Sequence, residues 1–158
     1  METNESLIHH FYTCFKNKDI KGMQACYADD ATFSDAVFKS LNANQVRKMW
    51  EMLIKKGKDM RIEYDHVEVG GEMGSAEWIA HYTFSLTGKK VVNKIKASFV
   101  FENGKIIQHE DDFSFYKWSK QALGLTGLLL GWTGFLRNKI SETAFENLRL
   151  YMAAHPGP

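Results

Sequence analysis

The chain reads as an α+β fold: a curved antiparallel sheet wrapped on an N-terminal helix hairpin and a third helix, with a C-terminal helical extension. Three observations predict it. Before residue 57 apolar residues recur at helical spacing in three segments, and from Met60 the period switches to two over four successive runs. Helices followed by a run of hairpin-linked strands give segregated layers rather than alternating βα units. Asn103-Gly104 between two such runs is a two-residue hairpin turn, which makes the pairing antiparallel there.

Asn4 to Lys18 carries Leu7, Ile8, Phe11, Cys14 and Phe15 on one helical face. Asp19 caps a short second helix through Ile20, Met23 and Tyr27, and Ala28-Asp29-Asp30 breaks the pattern. A short strand follows from Thr32 to Phe38. Val46, Met49, Trp50, Leu53 and Ile54 define the third helix, capped by Asn42 or Asn44 and ended by Gly57. Met60, Ile62 and Tyr64 alternate, then the phase slips to Val67 and Val69, which predicts a bulge near Asp65 and His66. After a turn from Gly70 to Gly74, the next strand sets Ala76, Trp78, Ala80, Tyr82 and Phe84 on one face. Thr87 to Lys90 turns into a strand with Val91, Asn93, Ile95, Ala97, Phe99 and Phe101 on one face. Lys105 to Trp118 reads as one long strand, followed by a Gly-rich apolar connection and a helix from about Thr133 to Ala153.

With 158 residues, the chain fits one domain, 1–158, with a core at about 4–118 and an extension at 119–154. The net charge is +1 with both signs mixed, so no basic stripe marks a nucleic-acid partner. Cys14 and Cys26 match no metal or redox spacing and read as buried thiols. The first ten residues lack the pattern of a signal peptide. The most apolar run, Leu123 to Leu136, is too short to span a bilayer and holds four glycines. The expectation is a cytoplasmic protein with no membrane partner. No Gly-rich phosphate loop and no metal-ligand spacing are present, so no cofactor is expected.

The chemistry concentrates in Lys105 to Trp118. Alternation puts Ile107, His109, Asp111, Phe113 and Phe115 on one face. A His and an Asp among Ile and Phe are not plain core, because buried ionisable groups are unfavourable unless paired. Side chains two apart on a strand stand about 6 to 7 Å apart, so a direct bond between His109 and Asp111 requires both to lean inward or a water to bridge them. Asp35 shares a face with Phe33 and Val37 if its strand is regular. It is then either an inward acid/base group with a raised pKa or a turn-capping carboxylate at the strand end. Tyr12, Trp50, Tyr64, Trp78, Tyr82 and Phe113 are the candidate ligand-binding aromatics, in a core that a pocket would continue. His81 falls on the outer sheet face.

The run Asp19-Ile20-Lys21-Gly22-Met23, followed by Tyr27-Ala28-Asp29-Asp30-Ala31-Thr32-Phe33-Ser34-Asp35, resembles the nuclear transport factor 2-like superfamily. Ketosteroid isomerases, SnoaL-like cyclases, limonene epoxide hydrolases and scytalone dehydratases share that cone-shaped, cystatin-like fold. The end of the chain, His109-x-Asp111-x-Phe113 through Trp118, Gln121-Ala122-Leu123-Gly124 and Leu130-Gly131-Trp132, resembles ketosteroid-isomerase-related bacterial proteins of unassigned function. The resemblance places Asp35 where the isomerase has its general base. That enzyme also uses a Tyr and a protonated Asp as oxyanion donors. Those positions fall here on Phe11 and Ala97, and Tyr12 is one step, about 100°, around the helix from Phe11. Enolate stabilisation of that kind is therefore not supported. Asp111 matches the second Asp of the epoxide hydrolase, whose Arg-x-Asp pair has no counterpart here.

The expected function is binding of an apolar cyclic or polyketide-like small molecule, with isomerase, cyclase or dehydratase chemistry if the protein is an enzyme. Asp35 would be the base, and Asp111 with His109 a second acid/base or orienting pair. The alternative is a non-catalytic binding or assembly module. The resemblance implies a homodimer through the outer sheet face.

Overall fold

A computed structural model describes residues 3–157. Helix α1 (Asn4–Lys16) begins at a capping box in which Thr3 and Ser6 satisfy each other's backbone amides. Asp19 accepts from the Gly22 amide and starts the short α2 (Ile20–Gln24). Strand β1 (Tyr27–Ser34) and the two-residue β2 (Leu41–Asn42) precede α3 (Ala43–Lys56). The α3 cap is Asn42, paired reciprocally with Gln45, and its end is Gly57. Strands β3 (Arg61–Gly70), β4 (Met73–Phe84), β5 (Lys89–Glu102) and β6 (Lys105–Asp112) form the antiparallel meander. Helices α4 (Phe115–Leu123), α5 (Leu125–Leu130) and α6 (Gly134–Ala154) complete the chain.

The six strands form one sheet in the order β2-β1-β6-β5-β4-β3. Its inner face packs on α1 and α3 through a core that includes Ile8, Phe11, Phe15, Phe33, Trp50, Trp78, Phe99 and Ile106. A second cluster, with Phe115, Trp118, Ala122 and Leu136 against Val91 and Ala36, fixes α4 and α6 at one end of the sheet.

Several expectations are corrected. The pairing is not wholly antiparallel: β1 runs parallel to β6, with Phe33 opposite His109 and Ser34 opposite Glu110. Tyr27 is not on the second helix but opens β1, and 28–30 continue that strand through a register shift. β1 ends at Ser34, so Asp35 lies in the turn beyond it. The long strand to Trp118 stops at Asp112, because Ser114 caps α4 by accepting from the Lys117 amide. Phe113 is thus a connector residue. A register shift between β5 and β6 turns Ile106 inward in place of Ile107. The Gly-rich connection is helical, as α4 and α5. The predicted bulge is present: the β3–β4 register shifts between Asp65 and Glu68, and His66 has φ 53°.

Candidate active site

Strand alternation drives His109 and Asp111 into the core, where they are 1% and 3% exposed. Their side chains lean together: His109 Nε2 lies 2.9 Å from Asp111 Oδ1, closing the gap that a regular two-residue step would leave. The other ring nitrogen, Nδ1, lies 2.8 Å from the Tyr27 hydroxyl. That hydroxyl oxygen accepts from Trp50 Nε1 at 2.9 Å, and Trp78 Nε1 reaches Asp111 Oδ1 at 3.4 Å.

This network has a direction. Indole N–H only donates, so Trp50 uses the Tyr27 oxygen as acceptor and the Tyr27 proton goes to His109 Nδ1. Nε2 then carries the ring proton and donates to Asp111. Every proton has an acceptor in this arrangement, and the chain of donors ends on one carboxylate oxygen. Burial pushes the Tyr27 hydroxyl pKa well above its ordinary value, which keeps that proton in place. Phe11, Phe33, Trp50 and Phe99 rings surround the imidazole, with centroids 4.4 to 6.3 Å away.

Asp35 sits apart, partly buried at the end of β1. Its Oδ1 accepts from the Val37 and Phe38 amides at 2.8 and 2.7 Å, which is the turn-capping geometry. Its pKa is nevertheless raised to about 6, chiefly by burial. The two amides oppose that rise, and the charge of Asp111 adds to it. The capping and the acid/base readings therefore describe one residue: one oxygen is held by the turn, and no protein donor among the described residues holds the other. Tyr82, whose hydroxyl accepts from Trp118 Nε1 at 2.6 Å, feels the charge of Asp35 as well.

The aromatic candidates divide. Trp50 and Trp78 are buried and fill the interior, with centroids 6.2 Å apart. Tyr12 is fully buried, stacked on Tyr64 at 5.0 Å, and its hydroxyl has no hydrogen-bond partner among the described residues. One step from Phe11 does not carry Tyr12 out of the core, because both lie within the wide buried face of α1. Tyr64 is held from outside by His9 Nδ1 at 2.9 Å. Tyr82 and Phe113 are partly buried and pack against both clusters near Asp35. Phe84 leaves the main core and packs on Trp118.

Among the described residues are open clefts of about 640 and 970 Å³. The first is lined by residues such as Ser98, Gln108 and Glu110, the second by Glu77, Lys94, Lys96 and Asp112. Neither includes Asp35, His109 or Asp111 in its wall. His81 is on the outer face, bonded to Glu63 at 2.9 Å. Among the described residues, no three His, Cys, Asp or Glu side chains converge as metal donors.

Sequence reasoning missed Tyr27 as a site residue. Its hydroxyl sets the His109 tautomer, but read as the last apolar position of a helix it carried no chemical signal. Trp50 and Trp78 read from the sequence as aromatics, and nothing there marks them as donors.

The SnoaL-like domain pattern matches residues 8–109. The chain belongs to the SnoaL-like domain family. Solved structures with the same fold agree. An NTF2-like protein of unknown function from Burkholderia pseudomallei is 19% identical, with a TM-score of 0.66, covering 77% of this chain and 98% of its own. IdmH from Streptomyces antibioticus, a candidate polyketide cyclase, is 17% identical at TM-score 0.64, over 78% of this chain and all (100%) of its own. An epoxide hydrolase from M. tuberculosis, of the limonene epoxide hydrolase-like type, is 18% identical at TM-score 0.63, over 82% and 98%. Among curated proteins, none matches this sequence. This SnoaL-like chain therefore has the nuclear transport factor 2-like fold, which hosts both enzymes and proteins without a known reaction. α4, α5 and α6 all lie beyond the region that the family pattern matches.

Proposed function

We propose that the protein binds an apolar cyclic or polyketide-like ketone and that Asp35 exchanges a proton with carbon next to its carbonyl. The observation that carries this reading is the geometry of Asp35 at the end of β1: the Val37 and Phe38 amides bond one carboxyl oxygen and no protein donor among the described residues holds the other, while burial raises its pKa to about 6. A base with a pKa close to the working pH combines a useful ionised fraction with useful basicity. Both ring nitrogens of His109 are already engaged. Asp111 and His109 therefore serve as a positioning pair that tunes Asp35, rather than as a second proton donor. In the forward step the α C–H bond breaks, its proton moves to the Asp35 carboxylate, and the electron pair passes to the carbonyl as an enolate. Return of a solvent-derived proton regenerates the ketone.

The test is deuterium exchange into the α-position of 1-tetralone in D₂O, followed by NMR. Exchange should rise with pH through about 6 and level off above it. Asp35→Asn should lower it about 10²-fold or more. A wild-type rate equal to the buffer rate refutes the catalytic reading.

One observation favours a second reading. The interior is filled by Trp50, Trp78 and Phe99, and none of the three ionisable groups lines either cleft described above. Tryptophan quenching by 1,8-dihydroxyanthraquinone with no exchange activity would identify a binding module instead.

A further inference from the structure

α5 is an amphipathic helix turned inside out. Its glycines face the protein. Gly127 and Gly131 are buried against α4, where a Cβ at Gly127 would collide with the Ser119 carbonyl oxygen, and one at Gly131 with the Ser119 hydroxyl. Its large side chains face outward. Leu125, Leu128, Leu129 and Leu130 are exposed, and Trp132 and Phe135 continue the face at 76% and 75% exposure. Close glycine packing holds this ridge rigidly on α4, and Tyr116 adds a hydrogen bond to the Leu128 carbonyl at 3.3 Å. A contiguous exposed apolar ridge of this kind marks an interaction surface.

The charges around it indicate the partner. Residues 113–141 contain Lys117, Lys120, Arg137 and Lys139, all exposed, and no acidic residue. Lys120 lies over the Tyr116 ring at 4.9 Å, beside α5, and the Lys89 stem runs against Gly124 at its start. A two-fold contact between copies of this chain would bring such cations face to face with no carboxylate from the same segment to pair them. An anionic lipid surface answers both features: apolar side chains enter the headgroup–acyl boundary while lysines meet phosphates. A Trp at the rim suits that boundary.

We propose that the outward face of α5 and the start of α6 docks on anionic membranes, with Leu125, Leu129, Trp132 and Phe135 inserted and Lys120 and Lys139 on the headgroups. The sequence expectation of no membrane partner rested on the length needed to span, and among the described residues no helix is long and apolar enough to cross. Surface docking needs no such length.

The experiment is co-sedimentation of the full chain with phosphatidylcholine vesicles, with and without about one-third phosphatidylglycerol. The anionic vesicles should bind the protein, and binding should weaken with added salt. Leu129→Asp with Trp132→Ala should lower partitioning more than tenfold with the thermal melt unchanged, because both side chains are exposed. Lys120→Glu with Lys139→Glu should lower it by about fivefold per charge or more, since each cation near the surface is worth about that factor. Absence of wild-type binding to anionic vesicles overturns the proposal. So does equal binding to neutral vesicles, or self-association of the protein that Trp132→Asp abolishes.

Discussion

The Tyr27 hydroxyl lies 2.8 Å from His109 Nδ1, joining the first residue of β1 to the centre of β6 and fixing which nitrogen of a buried imidazole carries the proton. Remove that hydroxyl and two buried groups, Trp50 Nε1 and His109 Nδ1, lose their partner together. Tyr27→Phe should destabilise the fold by about 2–4 kcal/mol, since an unsatisfied buried polar group costs about 1–3 kcal/mol. Urea denaturation measures the loss. Imidazole ¹⁵N shifts in the wild type should show Nδ1 unprotonated; a protonated Nδ1 would refute the directed network.

Asp35 sets a stability profile opposite in sign to that of a salt-bridged carboxylate. Its folded pKa of about 6 lies above the unfolded value of about 3.8, so between them the folded state binds more protons. The associated stability is fully present below about pH 4 and is lost as pH rises through about 6. The loss is on the order of 2–3 kcal/mol, at about 1.4 kcal/mol per unit. Asp35→Asn keeps an oxygen for the Val37 and Phe38 amides and removes the titration. The variant should melt at higher temperature than wild type at pH 7.5, with the gap closing by pH 4. Identical pH profiles for the two proteins would show that Asp35 is not shifted.

Tyr12 offers a contrasting case. Its hydroxyl is buried without a partner, which is unfavourable to folding, and burial with the nearby charge of Asp111 raises its pKa well above the ordinary value. Tyr12→Phe keeps the stacking on Tyr64 and removes the orphaned group. It should stabilise the fold by about 1 kcal/mol, read from the shift of the denaturation midpoint. Destabilisation of similar size would mean that the hydroxyl is bonded in solution.

Two glycines only seven residues apart should respond oppositely to alanine. At Gly127 the new Cβ would collide with the Ser119 backbone, so α5 must lift from α4, at about 1–3 kcal/mol. At Gly134 a Cβ meets nothing within 4 Å, and better helix propensity at the start of α6 should add up to about 1 kcal/mol. Thermal melts of the two single variants decide it.

Periodicity revealed most of the architecture because each helix and meander strand buries one face. Trp78 and Phe99 fell inward on strand alternation alone, and Asn103-Gly104 turned the β5–β6 hairpin with φ of 52° and 75°. The bulge at His66 was visible as a phase slip. What was not visible depended on non-local partners. Tyr27 belongs to β1 because its strand pairs with β6, a contact 82 residues away that no local window contains. Phe113 and Phe115 leave the strand because Ser114 caps a helix, and that cap competes with an alternation that would otherwise continue. The site was legible as residue types at His109 and Asp111. The bond between them depends on side-chain lean, which spacing does not encode. α5 reads as a connection in the sequence because glycines used for close helix contact look there like glycines used for turns.

The parallel seam between β1 and β6 also governs the order of assembly. The four meander strands can zip through short hairpins, whereas the seam, and with it the Tyr27–His109 contact, requires closing most of the chain between them. Such long closures are slow relative to hairpin formation. A nascent or refolding molecule therefore acquires its sheet before its proton-directing network. Until the seam closes, His109 has Asp111 on its own strand but neither the Tyr27 hydroxyl nor the Phe33 ring of β1, so its second hydrogen bond and part of its cover arrive together.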